Sequence, residues 1–214
     1  MNAGPARRIP AEELDRGLDA LGLDLPAAAR STLLRYIELL ARWNRAYNLT
    51  AVRDPVEMVR RHLLDSLAIA PHVRGPRLAD IGSGAGLPGI PLAVALPAVE
   101  CTLLEANGKK ARFLRQTAAE LNIANIVVAH ARAEQYQPET KFDTLVARAF
   151  AELPAIIAAA GHLCRRDGRI LAMKGRHPRD ELTTPPGFTV ERVVPYAVPG
   201  IDAERHLVII RREQ

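Results

Sequence analysis

The residues best suited to chemistry lie together in Asp80-Ile81-Gly82-Ser83-Gly84-Ala85-Gly86-Leu87-Pro88-Gly89-Ile90-Pro91. Gly82, Gly84 and Gly86 lack a Cβ, so the backbone can turn tightly there and approach a ligand closely. The segment follows the apolar pair Leu78-Ala79 and leads into the apolar run from Leu92 to Leu96, which reads as strand, glycine loop, helix. Pro88 suits the start of that helix, and Pro91 confines the start to the same neighbourhood. Such a loop can hold a dinucleotide, a phosphate or S-adenosylmethionine, and spacing alone does not choose among them. A Walker-type phosphate loop is excluded, because no Gly-Lys-Ser/Thr follows at the required position. Glu105 lies 23 residues beyond Gly82, at the end of Cys101-Thr102-Leu103-Leu104. A carboxylate there can accept hydrogen bonds from ribose hydroxyls. The competing reading is a structural turn and a solvated glutamate; loop and acid together favour a cofactor.

Other polar groupings are less telling. His62, Asp65 and Ser66 share adjacent turns of a helix opened by Asp54-Pro55-Val56-Glu57. Asp54 can cap that helix, Pro55 fits its first position, and Glu57 can reach back in a capping box. The trio imitates a hydrolase only superficially, since no strained nucleophile turn and no separate oxyanion loop accompany it. Asp65 or Ser66 is expected to make local hydrogen bonds, with His62 near the cofactor mouth or at an interface. The two cysteines, Cys101 in a predicted strand and Cys164 near a helix end, read as buried or partly buried free thiols. Neither belongs to a metal-ligand cluster. Lys109, Lys110, Arg112 and Arg115 crowd the start of a helix, where the backbone dipole does not favour cations. That mismatch points to phosphate contact, against an ordinary solvated surface.

These groups need a frame, and the chain supplies an alternating one. Residues 1–10 read as loose, followed by helices over 11–21 and 26–46. Leu33, Leu34, Ile37, Leu40 and Ala41 recur on one side of the second helix. Its arginines, Arg30, Arg35, Arg42 and Arg45, read as decoration of an amphipathic helix, with an RNA-facing role as the weaker alternative. Strands are predicted at 100–104, 126–128, 142–147, 168–173, 188–195 and 206–210, with helices over 109–121 and 151–163. Ala131-Arg132-Ala133-Glu134 follows the third strand, where a backbone N–H and a carboxylate can meet an adenine edge; a cap or a surface salt bridge fits equally. Arg148-Ala149-Phe150 ends the fourth strand, where ligands gather in an open α/β sheet. The organisation expected is an N-terminal helical extension, 1–73, on a doubly wound α/β core, 74–214, together one compact domain.

Composition sets outer limits. The 214 residues are 48% hydrophobic but only 4% aromatic, so the core must be built from Leu, Val, Ile and Ala. Twenty-nine basic against 24 acidic residues leave +5, which permits a nucleic-acid surface without requiring one. No apolar stretch approaches membrane-spanning length, and the first ten residues lack the apolar core of a secretory signal. The cytoplasm is the expected compartment.

Several segments together resemble one family. They are Trp43-Asn44-Arg45-Ala46-Tyr47-Asn48-Leu49-Thr50, the stretch from Glu57-Met58 to His62 with Asp65-Ser66, and Asp80 to Pro91. Further matches are Gly108-Lys109-Lys110-Ala111-Arg112-Phe113-Leu114-Arg115-Gln116, Arg148-Ala149-Phe150, Lys174-Gly175 and Glu204-Arg205-His206-Leu207. The chain resembles the bacterial small-subunit ribosomal RNA guanine-N7 methyltransferases, the methyltransferase G or glucose-inhibited division protein B family. The resemblance implies a class I S-adenosylmethionine-dependent methyltransferase fold, a mixed seven-stranded sheet whose last strand is antiparallel. It implies S-adenosylmethionine as donor and a guanosine in a conserved loop of 16S ribosomal RNA as target, within the small subunit or a late assembly particle; no metal and a monomeric enzyme are expected. Cofactor positions carry over to Gly82, Leu87, Ala133, Glu134 and Arg148, with Asp80 and Glu105 as further contacts typical of the broader class. Relatives often show Asp where Glu105 stands; the longer carboxylate should serve. The RNA-contact group expected is Lys109, Lys110, Arg112, Arg115, Lys174, Arg176 and Arg205.

The chemistry implied needs no deprotonation, because guanine N7 is an acceptor that carries no proton. No catalytic dyad is then required, and Arg148 and Phe150 are left as positioning candidates. No Asp/Asn-Pro-Pro-Tyr follows the fourth strand, as in many exocyclic-amine methyltransferases, and no Pro-Cys motif supports attack on a pyrimidine. A noncatalytic RNA-binding module and a nicotinamide oxidoreductase are the alternatives.

Overall fold

The computed structural model describes residues 5–149, 152–178 and 182–213. Seven strands form one sheet: β1 Arg77–Ile81, β2 Glu100–Leu104, β3 Ile126–Ala129, β4 Phe142–Arg148, β5 Cys164–Lys174, β6 Phe188–Pro195 and β7 His206–Arg212. Their order across the sheet is β3-β2-β1-β4-β5-β7-β6. The first five run parallel, and β7 enters antiparallel between β5 and β6. This is the mixed seven-stranded arrangement expected. Strand order reverses between β1 and β4, so their C-terminal ends open the crevice where ligands bind in such sheets.

Alternation along the strands explains the two faces. Leu78, Cys101 and Leu103 enter one apolar cluster, whereas Ala79, Ile81 and Leu104 enter the other. The first face is covered by α1 Pro5–Leu21, α2 Ala27–Tyr47, α3 (residues 55–67), α4 Gly89–Ala95 and α5 Gly108–Glu120. Leu14, Leu33, Leu40 and Leu64 from the N-terminal helices share this cluster with Leu171 and Ile209 from the sheet. The second face is closed by α6 Leu153–Ala160 through Leu153, Ile156, Ile157 and Ala160.

Several local expectations are corrected. Helix α1 begins at Pro5 and runs through Pro10. A proline there removes one intrahelical N–H donor but does not end the helix. Asp54 caps α3 as expected, accepting the Glu57 N–H at 2.9 Å. Glu57 does not reach back: its carboxylate takes Arg60 Nη1 at 3.1 Å and Arg61 Nε at 2.7 Å, because two guanidiniums one turn on outcompete a single backbone N–H. The middle of α3, Val59–Leu64, widens into a π-helical turn. Cys164 follows the short 3-10 helix Gly161–Leu163, near a helix end as expected, and opens β5, which is longer at both ends than predicted. Both cysteines are free and buried.

Candidate active site

The glycine loop is held from three sides. From β2, the Leu104 carbonyl accepts the Ser83 N–H at 2.9 Å, and the Ser83 hydroxyl donates to the Asp80 carbonyl at 3.0 Å. Glu105 Oε2 accepts the Gly84 N–H at 2.8 Å, while its Oε1 accepts the Asn107 N–H at 2.7 Å. From the N-terminal extension, the Tyr36 hydroxyl donates to the Ala85 carbonyl at 2.8 Å. Tyr36 is fully buried, which pushes its phenol well above the ordinary range and keeps it a donor.

The glycines divide the work. Gly82, Gly84 and Gly86 have φ of 68°, 59° and 90°, a region that side chains rarely adopt. A Cβ on Gly84 would meet only the Gly82 carbonyl, at 3.8 Å, so the loop leaves open space on that side. A Cβ on Gly86 would run into Ile90 Cδ1 at 2.3 Å, so Gly86 serves the packing of α4. Gly82 is exposed, whereas Leu87 is buried beneath the loop.

Asp80 lies under the loop with no accessible surface. Its Oδ2 accepts the Gly89 N–H at 2.9 Å at the start of α4, and only a glycine permits that approach: a Cβ would come to 2.7 Å of Oδ2. Its Oδ1 has no partner among the described residues. Burial pushes the carboxyl up to about 7, against the Gly89 hydrogen bond, which acts the other way.

Arg148 ends β4 and turns toward α3. Its Nη1 donates to the Arg61 carbonyl at 3.0 Å, in the widened turn, and to Asp65 Oδ2 at 3.2 Å. The other Asp65 oxygen takes Arg205 Nε at 3.1 Å and the Tyr196 hydroxyl at 3.2 Å. Asp65 is therefore a buried junction of α3, β4 and the β6–β7 connection, and of the pair Asp65 and Ser66 it is Ser66 that bonds locally. Arg205, expected at RNA phosphates, has its Nε bound to Asp65 and Nη1 on the Glu204 carbonyl at 2.9 Å. Ser66 does bond locally, to the His62 carbonyl at 2.5 Å. His62 is buried, with Nε2 at 2.9 Å from the Thr50 hydroxyl; burial, then the charge of Arg148, lowers its pKa to about 4. Thr50 is in turn held by paired bonds to the Asn44 amide.

The remaining sequence-predicted residues fall around this centre. Ala133 and Glu134 form a short 3-10 turn, Ala133–Gln135, after β3, with Glu134 exposed. Lys109, Arg112 and Arg115 line an open groove of ≈ 840 Å³ with Asn107, Gly108, Gln116 and His130. The Asn107 side-chain oxygen Oδ1 caps α5 by accepting the Lys109 and Lys110 N–H groups, which leaves the basic side chains outside the cap. Lys174 ends β5 and Arg176 follows it, exposed. Three strand spacings separate β2 from β5, roughly 14 Å, so the two basic groups flank the glycine loop and Arg148 from opposite sides. Phe150 lies outside the described residues. Sequence reading missed Tyr36, whose hydroxyl in an apolar stripe demanded a partner, and Asn107, a cap residue just before a helix start.

Each Glu105 oxygen accepts one backbone N–H and keeps further acceptor capacity, beside the open side of Gly84. Among the described residues no group of His, Cys, Asp and Glu is placed to hold a metal ion. No helix of the described residues is long and apolar enough to cross a membrane.

Comparison with known proteins bears on the fold and the family. Among solved structures, the O-methyltransferase TomG from Streptomyces achromogenes aligns over 90% of this chain and 92% of its own, with a TM-score of 0.57. At 17% identity that likeness establishes the fold alone. The ribosomal RNA small subunit methyltransferase G of Xanthomonas euvesicatoria pv. vesicatoria (strain 85-10) is 54% identical over 200 residues, 93% of each chain. The protein of the same name from Pseudomonas paraeruginosa (strain DSM 24068 / PA7) is 52% identical over 207 residues, 96% of this chain and 97% of its own. Residues 29–208 match the family described as GidB, rRNA small subunit methyltransferase G, and the chain belongs to that family.

Proposed function

We propose that this chain transfers the methyl group of S-adenosylmethionine to N7 of a guanosine in 16S ribosomal RNA, acting as a monomer on the small subunit or a late assembly particle in the cytoplasm. The observation that carries the reading is the Gly84 N–H bound to Glu105 beside open space, on a chain of this family. When bound, S-adenosylmethionine supplies a methyl carbon made electrophilic by its sulfonium.

The protein's part is alignment and electrostatics. Glu105 receives ribose hydroxyls while it holds the loop, and Gly82 and Gly84 offer backbone without side chains. The backbone at Ala133, with Glu134, borders the adenine. Leu87 and Gly86 keep the loop and α4 in register from below, and Asp80 holds the head of α4. No side chain needs to remove a proton, since N7 has none. Transfer leaves the base positive and the donor neutral, so a bare guanidinium beside it would oppose the step. Asp65 compensates the charge of Arg148, which can then orient donor or base without that penalty. Lys109, Lys110, Arg112 and Arg115 on one flank, with Lys174 and Arg176 on the other, are assigned to RNA phosphates.

Calorimetric titration of the donor tests the pocket. Glu105→Gln keeps the shape but turns an amide N–H toward a backbone N–H, and should weaken donor affinity by about 10-fold to 100-fold. Unchanged affinity would refute the ribose assignment. Donor binding without transfer to small subunits would mark a noncatalytic RNA-binding module, and binding of NAD in its place an oxidoreductase.

A further inference from the structure

The end of the sheet opposite the glycine loop holds a second concentration of charge. Arg169 of β5 is the register partner of Thr144 of β4, just past an irregularity in the pairing, and Arg211 of β7 lies across from it. With Arg74, Asp167, Thr189 and Glu191 they line a pocket of ≈ 400 Å³ at the β6 edge of the sheet.

Arg169 is the unusual member. It is only 5% exposed. A guanidinium presents five N–H donors, and a buried one needs close, well-aligned partners. Among the described residues its contacts are long: Nη1 to the His72 carbonyl at 3.4 Å, and Nη2 to Glu191 Oε2 at 3.9 Å. Burial, then the like charge of Arg74 and Arg192, lowers the pKa of Arg169 against the pull of Glu191. A tetrahedral oxyanion entering between Arg169, Arg74 and Arg211 would give the guanidiniums short, paired hydrogen bonds. Asp167 and Glu191 stand on the same walls, and their charge opposes the entry of a second such group.

We propose that this pocket is a phosphate-binding site, and that on the substrate particle it takes one backbone phosphate of ribosomal RNA. The second half rests on the function proposed above. From Arg169 to Lys174 the parallel stretch of β5 spans about 17 Å at ~3.3 Å per residue. A strand held at the basic groove by the glycine loop must therefore follow the sheet edge to reach Arg169. The site contributes to binding of a large particle and not of a short RNA hairpin.

The test uses the full chain and Arg74→Gln with Arg211→Gln, both exposed and neither in the methyl-transfer pocket. Arg169→Met is a second variant, read only where its thermal transition matches wild type. Inorganic phosphate is titrated at low salt and followed by amide chemical shifts. Saturable shifts at residues 167–169 and 189–191 are expected, weakened about tenfold or more in the double variant. Affinity for small subunits is then measured against salt. The slope of log K on log salt should fall by about 0.7–0.9 for the one phosphate lost, while hairpin and donor affinity stay unchanged. Phosphate binding with an unaltered subunit slope would overturn the RNA half and assign the site to free phosphate. No saturable phosphate binding would overturn the site itself, whether or not methylation proceeds. Intact phosphate binding in a protein that transfers no methyl would instead refute the proposed function.

Discussion

At Asp80 and His62, burial acts on two ionisable groups in opposite directions. The Asp80 carboxyl is raised from its ordinary 3.8 to about 7, so the folded chain keeps a proton that the unfolded chain releases. Its contribution to stability is present below about 3.8 and is lost as pH rises toward 7. His62 is lowered from 6.5 to about 4, so its contribution is present above 6.5 and is lost as pH falls toward 4. The two offset each other between these limits. Asp80→Asn removes the first, and its urea midpoint should drop more steeply than wild type as pH falls from 6.5 to about 4.5. Parallel profiles would contradict the assignment. The tight turn at Gly82, Gly84 and Gly86 was readable from sequence, because a backbone at positive φ demands glycine, whereas the bond from the Gly84 N–H to Glu105 was not. Asp65 was not: its partners Arg148, Tyr196 and Arg205 lie 83 to 140 residues away, and nothing local marks such pairings.

Between elements, the N-terminal extension acts as part of the site. Helix α2 sends Tyr36 to the glycine loop, stacks Trp43 edge-on against Phe113 of α5 at 5.6 Å, and donates from Arg42 to Glu120. Arg30, Arg35 and Arg42, read from sequence as decoration of the helix, bond within the chain, with Arg35 on the Glu120 carbonyl and Arg30 on the Leu25 carbonyl. Tyr36→Phe leaves the Ala85 carbonyl buried and unpaired. It should cost about 1–3 kcal/mol by denaturant unfolding and also weaken donor binding. Lost stability with unchanged donor affinity would detach α2 from the site. Strand and helix positions followed from apolar periodicity, but the π turn of α3 did not, since widening by one residue leaves the pattern of Leu63, Leu64 and Leu67 intact. The start of β5 was hidden for a related reason: Arg165, Arg166 and Asp167 interrupt the apolar run that a strand is expected to show.

Across the whole molecule, charge is placed by topology. A net +5 spread evenly would steer little, but the basic side chains of α5 and those after β5 flank one crevice at the strand ends. Lys109→Gln with Arg112→Gln should lower the salt slope of small-subunit binding by about 0.7–0.9 per lost phosphate and leave donor affinity unchanged. An unaltered slope would move the RNA face elsewhere. The parallel core was legible in the alternation of strands and helices, whereas the antiparallel entry of β7 came only with the family resemblance, because an edge insertion leaves no mark in hydrophobic pattern. The central claim is that one crevice presents a methyl carbon to an unprotonated purine nitrogen. It is tested most directly by incubating small subunits that lack the modification with protein and labelled donor, then locating the label by base-resolved mass analysis. One methyl at N7 of a single 16S guanosine is the predicted result; label on another atom, or none from a folded protein that binds the donor, would contradict it.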